Sequence, residues 1–283
     1  MRIKNCRTYN GLALVAVLWI VAALSIMVTG AMHSVRSELR LVSHVRQSVE
    51  AAAKGEAAMQ LVLQEIVTRN KMPDRLVLAD IVFQGQIIPV KVMPLSGLID
   101  INNAPLDLLA HMFTSAGQLD PDSSSALAQA VLDARAEKNE QGRAARFEAV
   151  EDLLRVPGLD YTVYARIAKL VTADLQGSGK VNPLAAPADV LTVLANGNEG
   201  RIAGLIAARD AGDLGVDTTM LNTAWIDSAS PPLMELQAKV LQPDGNAFLV
   251  VRRVVVNSGA PDGLPWRVFH AESQYVVARP SGH

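Results

Sequence analysis

An uncharged apolar run from Leu12 to Met32, directly after a short basic leader, constrains this chain more than any other feature. The positive charge of the leader comes from Arg2, Lys4 and Arg7. As a helix rising ~1.5 Å per residue, the run reaches roughly 30 Å, the thickness of a bilayer's hydrocarbon core. We therefore expect a single membrane span in the inner membrane. Its basic flank should stay in the cytoplasm, with the bulk of the chain on the periplasmic side.

Three interpretations of this N-terminal segment are open. A secretory signal peptide has an apolar core of about 7–15 residues before a small-residue cleavage site, and Thr29-Gly30-Ala31 can serve as that site. A signal anchor is never cut. The third interpretation is a type IV prepilin leader, cut between Gly11 and Leu12. It is favoured because the apolar run begins at the residue directly after the glycine.

The pattern after the apolar run predicts that the helix continues. Between Met32 and Pro73 there is no proline, and the one glycine is Gly55. Apolar residues recur there at spacings of three and four, with one gap at Glu56, at Val35, Leu39, Val42, Val45, Val49, Ala52, Met59, Leu63 and Ile66. One helix from residue 12 to about 70 would be on the order of 90 Å long. The alternative is a membrane helix followed by a separate helix, with a kink near Gly30.

The segments after this helix predict an α+β fold. Five segments have the composition of strands and are bounded by turn residues: Leu76–Phe83, Gln86–Met93, Leu233–Leu241, Ala247–Asn257 and Arg267–Ala278. Residues 103–230 have the pattern of helices joined by short loops. We therefore expect an antiparallel sheet packed on the N-terminal helix, with a large α-helical domain inserted between its strands.

Composition and residue spacing give no support for an enzyme or a nucleic-acid-binding protein. The net charge is −2, so no basic field is available for nucleic acid. The single cysteine, Cys6, lies in the leader, so a chain cut after Gly11 would have no disulfide. The 5 histidines lack metal-ligand spacing, and no nucleophile elbow or phosphate-binding glycine loop is present. No catalytic residue is expected.

The helical region contains an internal repeat. The segment Ile99–Leu109 recurs as Val181–Leu191, and a later Arg-ending segment, at Arg135, recurs at Arg209. The repeated positions are Asn102, Ala104 and Pro105 in the first copy and Asn182, Ala186 and Pro187 in the second. Proline suits a first helical turn, and the acidic residue two positions later stabilises the helix start. We interpret the repeat as two helix entries of a duplicated structural module.

Two weaker motifs remain. Residues 154–167 are similar to half of a helix-hairpin-helix around Pro157 and Gly158, a motif that contacts phosphates in nucleic-acid binders. The neighbouring acids and the expected location outside the inner membrane disfavour that role. Calcium is the one cofactor kept open, because Asp120, Asp122, Asp210, Asp213 and Asp217 lie in candidate loops. None of them forms an EF-hand pattern, and exposed helix and loop acids are the commoner explanation.

Taken in order, these motifs resemble the K-type minor pseudopilins of type II secretion, the GspK family. The family pattern has a leader ending in glycine, an Asn-x-Asn-Thr-Ala-Pro segment, an acidic-Leu-Leu-x-x-Pro-Gly segment and a second Ala-Pro segment. This chain carries the middle two at residues 100–105 and 151–158, and the match extends over nearly its whole length. Asp100 and Asn103 depart from the first segment. Leu184 and Ala185 dilute the second copy, which puts a ligand-binding role there in doubt.

The resemblance implies an exported subunit with a pilin-like fold, cleaved and N-methylated by a prepilin peptidase. Its expected organisation is a leader at 1–11, the transmembrane half of the long helix at 12–32, and the rest of the helix with the first strands at 33–102. The inserted helical domain with two related halves follows at 103–230, and the last strands at 231–283.

The resemblance also implies partners, namely the I- and J-type minor pseudopilins and the major pseudopilin, with a place at the tip of a periplasmic pseudopilus that exports folded proteins. Counted from Leu12, Ala16 takes the fifth position, where most pilins carry glutamate. A buried carboxylate needs a partner in hydrocarbon. In pilins this partner is the N-terminal amine of a neighbouring subunit, so a subunit that lacks the glutamate need not dock below another one. The alternative is a minor pilin of another type IV pilus-like machine.

Overall fold

The computed structural model describes residues 10–137, 145–195, 199–213, 215–256 and 263–276. In the N-terminal helix the side chains at 10–14, 26 and 28–44 lie outside the described part, as do those at 199 and 201. Contacts divide the chain into two compact units, one ending at Ala51 and the other beginning at Ala52.

The helices and strands alternate in an α+β pattern. The helices are α1 (Asn10–Arg69), α2 (Leu106–Ser115), α3 (Pro121–Ala136), α4 (Tyr161–Ile167), α5 (Ala188–Leu194) and α6 (Glu199–Asp210), and two 3-10 helices lie at Leu95–Gly97 and Val150–Arg155. The strands are β1 (Val77–Phe83), β2 (Gln86–Pro94), β3 (Ile99–Asp100), β4 (Val171–Thr172), β5 (Leu233–Leu241), β6 (Ala247–Val256) and β7 (Trp266–Val276). Helix α1 agrees with the helix predicted from residue 12 to about 70.

The five long strands form one antiparallel sheet in the order β1-β2-β5-β6-β7. The five strands predicted from the sequence are confirmed, with ends that differ by one or two residues. The β1–β2 hairpin closes through Gln84 and Gly85, which both have positive φ, at 49° and 77°. That is the geometry of a type I′ turn, whose twist suits a two-residue hairpin. Strands β1 and β7 are the two edges of the sheet.

A second, two-stranded sheet was not predicted. Strand β3 pairs in parallel with β4, and an isolated parallel bridge joins Val181 to Ile226. A pairing of two residues leaves no alternating pattern in the sequence, so it cannot be recognised there. Strand β4 and the Val181–Ile226 bridge lie within residues 103–230, which were expected to be largely helical, whereas β3 lies just before that region. Both pairings tie segments together that are more than forty positions apart in the chain.

In the second unit, α1 packs on one face of the large sheet. Val90, Ala238 and Val250 are opposite one another on β2, β5 and β6 and are fully buried. Gly55 of α1 lies over them so closely that an added Cβ would meet Val250 Cγ2 at 2.6 Å. Arg252, on the same face, donates to Glu56 Oε1 of α1. This face is therefore the core between helix and sheet.

Replacing Gly55 by alanine should weaken this contact. We expect Gly55→Ala to lower the free energy of unfolding by about 1–2 kcal/mol, because the overlap with Val250 outweighs the better helix propensity of alanine. The matched control is Gly204→Ala in α6, where the space around the glycine is open. That change should raise stability by about 0.5–1 kcal/mol. Urea denaturation followed by tryptophan fluorescence measures both; equal effects of the two variants would contradict the packing argument.

The opposite face of the sheet meets the helices and loops between β2 and β5. These form their own buried cluster, which includes Leu108, Met112, Phe113, Val131, Ile167, Val190, Leu191 and Leu194. Arg253 of β6 connects the two layers, because its Nη1 donates to Asp174 and its Nε to Glu235 of β5. Arg252 and Arg253 thus hold opposite faces of the sheet, as adjacent strand residues must.

Candidate functional site

The N-terminal part of α1 exposes an unusual amount of apolar surface. Between residues 15 and 27, large side chains at eight described positions are more than half exposed: Val15, Val17, Leu18, Trp19, Ile20, Val21, Leu24 and Met27. Trp19 is 73% exposed. Consecutive positions from 17 to 21 point in all directions around a helix, so the apolar surface is not confined to one stripe. This surface needs a lipid or protein environment to cover it.

The predicted membrane span at 12–32 overlaps this segment. Among the described residues, none of the helices has an apolar stretch of the length that a membrane span requires. The side chains of residues 12–14, 26 and 28–32 lie outside the described part. Gly11 and Leu12, the predicted cleavage site, lie in the first turn of α1, while the remainder of the leader, residues 1–9, is outside the described residues. Ala16 is exposed on the helix surface.

The first Ala-Pro segment, residues 99–109, is organised by the buried side chain of Asn102. Its Nδ2 donates to the carbonyls of Phe147 and Ala173, each at 3.0 Å, and its Oδ1 accepts from Phe147 N at 2.9 Å. A single amide therefore satisfies three backbone groups from two distant loops. Since buried backbone groups without partners are costly, Asn102 fixes how these loops meet.

The second Ala-Pro segment, residues 181–191, uses Asn182 in a related way. Asn182 is 2% exposed, and its Nδ2 donates to Asp74 O at 2.9 Å and to Ala229 O at 3.4 Å. Its Oδ1 accepts from Leu184 N at 3.0 Å. The two asparagines that the sequence marked as equivalent therefore both hold loop backbones. Both prolines, Pro105 and Pro187, sit at the N-cap position, one residue before the helical turn predicted for them.

An arginine completes each copy of the repeat. Arg135 Nη1 donates to Ala104 O at 3.0 Å, and Arg209 Nη1 donates to Ala186 O at 2.7 Å. Each guanidinium thus binds the carbonyl directly before the proline of its own copy. The sequence showed that both arginines end a repeated segment, but it gave them no role. Their shared place at the end of the two similar segments was the signal that pointed to them.

The two segments also contact each other through glycines. The backbone of Gly179, just before the second segment, lies against the peptide joining Asn103 and Ala104 of the first. In return, Gly97, just before the first segment, lies against the peptide joining Ala185 and Ala186 of the second. The contact is therefore reciprocal.

Asp100 is the buried acid of the first segment. Its Oδ1 accepts from Asn102 N at 2.9 Å and its Oδ2 from Asn103 Nδ2 at 2.6 Å. Burial raises the pKa of the Asp100 carboxyl above its usual value, although these two hydrogen bonds act in the opposite direction. The folded chain therefore holds this proton more tightly than the unfolded chain does.

This shift predicts a pH dependence. Because the pKa of Asp100 is raised by folding, its contribution to stability is most favourable below the unfolded value near 3.8 and is lost as pH rises through the folded pKa. In thermal melts, the stability of the native chain relative to Asp100→Asn should fall as the pH rises above about 4. Asp120→Asn is the control, since hydrogen bonds from Ser123 lower the pKa of Asp120 and confine its effect to pH below about 4. A difference for Asp100→Asn that rises with pH would contradict the burial argument.

The hairpin around Pro157 and Gly158 joins a 3-10 helix, Val150–Arg155, to α4. Gly158 has a φ of 89°, which explains the glycine at this turn. The first element is not an α-helix, unlike the predicted half of a helix-hairpin-helix. Asp160 caps α4, its Oδ1 accepting from Val163 N at 2.8 Å. A carboxylate thus already occupies the helix N-terminus that a phosphate would use.

Three of the five acids considered for calcium, Asp120, Asp210 and Asp217, are engaged in local structure. Asp120 caps α3 by accepting from Asp122 N and Ser123 N, and Asp217 accepts from the backbone and hydroxyl of Thr219. Asp210 pairs with Arg209. Within the described ranges, no group of three or more His, Cys, Asp or Glu side chains is placed to hold a metal ion.

A groove of about 720 Å³ lies between the sheet and the helical layer, on the face away from α1. Its walls carry charges of both signs, including Lys91, Asp174, Glu235 and Arg253. Burial lowers the pKa of Lys91, and the nearby charge of Glu235 opposes that effect. Asp174 and Glu235 are both paired with Arg253, so ion pairs connect the two walls of the groove.

The described residues thus provide two apolar surfaces that could bind other molecules. One is the surface of α1 between Val15 and Met27, and the other is the edge strand β1, where Leu78 and Val82 are exposed. The Ala-Pro segments, in contrast, are buried and make internal contacts. No family model and no curated protein sequence matches this chain.

Among solved structures, the chain is similar to the crystal structure of the GspK-GspI-GspJ complex from the enterotoxigenic Escherichia coli type 2 secretion system. The TM-score is 0.47 at 12% sequence identity, over 85% of this chain and 99% of that chain.

Proposed function

We propose that this chain is a K-type minor pseudopilin, a structural subunit of a type II secretion pseudopilus. The observation that carries the proposal is the exposed apolar surface of α1 between Val15 and Met27. Leaving apolar area in water costs about 25 cal/mol per Å², so this segment requires a surrounding apolar phase. In a pilin-like subunit, this apolar environment is provided first by the lipid bilayer and later by the helices of neighbouring subunits. The α+β arrangement of α1 on an antiparallel sheet suits a pilin-like fold.

The N-terminal segment then has two successive roles. Before assembly it anchors the precursor as a single-pass protein in the inner membrane, with the bulk of the chain in the periplasm. A prepilin peptidase cuts between Gly11 and Leu12 and methylates the new terminus. The basic leader stays on the cytoplasmic side during this step, as the charge distribution favours.

Ala16 supports a place at the tip. In a pilin the fifth residue is normally glutamate, whose carboxylate is tolerated in an apolar bundle when a neighbouring N-terminal amine pairs with it. With alanine there, the subunit needs no such neighbour above it. We therefore place it at the end of the pseudopilus, assembled with I- and J-type subunits above the major pseudopilin. In that position it supports the export of folded proteins across the outer membrane.

Mass spectrometry of the N-terminus of membrane-extracted protein tests the processing step. We expect an N-methylated leucine, Leu12, as the first residue. A chain that starts at Met32 would mean a secreted domain, and a chain that retains its leader would mean a plain signal anchor. The variant Ala16→Glu should still be cleaved, because the change lies beyond the cleavage site. Labelled native protein found along the whole fibre would contradict the tip placement.

Site-specific cross-linking tests the bundle. Since Cys6 is lost with the leader, a Leu18→Cys variant carries one cysteine in the mature chain. We expect it to form cross-links to the apolar helices of I- or J-type subunits in cells that assemble the pseudopilus. Ser125→Cys, exposed on α3, is the control and should give few. Equal yields from both positions would contradict a bundle formed by α1, and cross-links to a pilus of another type would favour the alternative machine.

A further inference from the structure

The edge strand β1 is open. Among the described residues, β1 pairs with β2 alone, so every second residue turns its backbone N–H and C=O away from its partner. Two of its apolar side chains, Leu78 and Val82, are 66% and 71% exposed. Strand edges of this kind accept a further strand through main-chain hydrogen bonds.

The other edge of the sheet is protected in the usual ways. Strand β7 carries Arg267, His270 and Glu272, and its pairing with β6 shifts at Arg253 and Val254, so that Phe269 is the extra residue of a bulge. Charges and bulges both discourage strand addition. Strand β1 has a regular register and one charged residue, Asp80.

Leu78, Asp80 and Val82 share one face of the sheet. Their neighbours Val77 and Ala79 are opposite Val92 and Val90, which are buried on the α1 face. Because side chains alternate along a strand, the three residues point to the other face, where Ile87 of β2 is opposite Val82 and is also exposed. The edge therefore presents an apolar–acidic–apolar pattern at every second position.

A second copy of this chain is a poor occupant. Asp80 is the middle residue of the seven-residue strand, so full antiparallel pairing of two β1 strands would place the two carboxylates opposite each other. Like charges directly opposite are destabilising in a sheet. An incoming strand with a cation at that position would instead gain an attractive pair.

We propose that β1 binds an extended segment of a different protein by strand addition. The segment has the pattern apolar–x–Lys/Arg–x–apolar, with its cation beside Asp80 and its apolar residues beside Leu78 and Val82. This goes beyond the proposed function, which requires protein partners without assigning them this surface, and it does not depend on that function. It would stand if the N-terminal processing proved different.

Fluorescence polarisation with the full chain in a mild detergent tests the proposal. The probe is the labelled peptide Thr-Val-Thr-Lys-Thr-Val-Thr, which has the same sequence in both directions and so allows parallel or antiparallel addition. A second peptide has Glu in place of the Lys. We expect the Lys peptide to bind about fivefold more tightly than the Glu peptide, since each cross-strand charge pair has a modest effect. Methylating alternate peptide nitrogens should abolish binding, because those amides can no longer donate.

Three variants locate the site. Asp80→Asn should remove the preference for the Lys peptide, and Asp80→Lys should reverse it. Glu272→Lys, on the same face at the opposite edge, is the matched control and should leave the preference unchanged. Absence of binding by the Lys peptide, equal binding of the two peptides, binding that survives N-methylation, or a preference that follows Glu272 would each overturn the proposal.

Discussion

Gly179→Ala is expected to lower the free energy of unfolding by about 3–4 kcal/mol. Two effects add: the new Cβ would overlap the backbone of Asn103 and Ala104, and the φ of 77° is unfavourable for alanine. Backbone cannot rotate away as a side chain can, so the two Ala-Pro segments would have to separate. For a unit of this size the melting midpoint should fall by about 10 °C.

The reciprocal contact offers a second test of the same idea. Gly97→Ala meets the peptide of Ala185 and Ala186, without a positive φ, so its cost should be smaller, about 2–3 kcal/mol. Gly177→Ala is the control, because the space around this glycine is open. It should change stability by less than about 0.5 kcal/mol. Thermal melts followed by tryptophan fluorescence measure all three. If Gly177→Ala costs as much as Gly179→Ala, the close approach is not the cause.

Arg253→Met is expected to cost about 3–4 kcal/mol. Glu235 is 7% exposed, and its Oε2 accepts from Arg253 Nε at 2.9 Å, so the substitution leaves a buried carboxylate with Gln237 as its remaining partner. Removing one member of a buried ion pair typically costs 3–5 kcal/mol, because the other charge stays desolvated. The bond from Arg253 to Asp174 is lost as well, and with it a contact between sheet and helical layer.

A double variant isolates the interaction between Arg253 and Glu235 from the other contacts of the two side chains. Replacing both partners, in Arg253→Met with Glu235→Met, should recover most of the loss, since the more deeply buried carboxylate is then removed too. Asp174 loses its ion pair in both variants but keeps the hydrogen bond from Thr172 Oγ1. Arg252→Met is the matched control: its partner Glu56 is more exposed, so the cost should be nearer 1 kcal/mol. Urea denaturation of the native chain, the single variants Arg253→Met and Glu235→Met, and the double variant gives the coupling free energy. Additive losses in the double variant would show that Arg253 acts through packing alone.

The elements of the fold could be predicted because their signals are local. The run of β-branched residues in β6, the turn residues Gln84 and Gly85, and the apolar spacing along α1 each act within a few positions of the chain. The hairpin between β1 and β2 was expected for that reason and is present. The parallel pair β3–β4 was missed, because Ile99 and Val171 are brought together by the intervening helices and not by any local pattern.

The repeat could be predicted only in part: its equivalent residues are visible in the sequence, but their contacts are not. The sequence marked Asn102 and Asn182 as equivalent and noted that Arg135 and Arg209 follow them, but the partners of these side chains lie 23 to 108 positions away. A prediction of a helix start says nothing about which carbonyl an arginine will reach. The same holds for the groove and its ion pairs, whose residues come from strands and loops far apart in the sequence.

The sequence by itself determined that an apolar segment continues into a long helix, and that strands flank a largely helical, duplicated region. These depend on composition, period and turn chemistry, which operate over a few residues. Only the tertiary structure decided that two glycines bring the repeated segments together, that neighbouring arginines serve opposite faces, and that β1 is left as an open edge. Those features depend on which distant backbones meet, because a hydrogen bond or a steric contact is fixed by separation in space and not by separation along the chain.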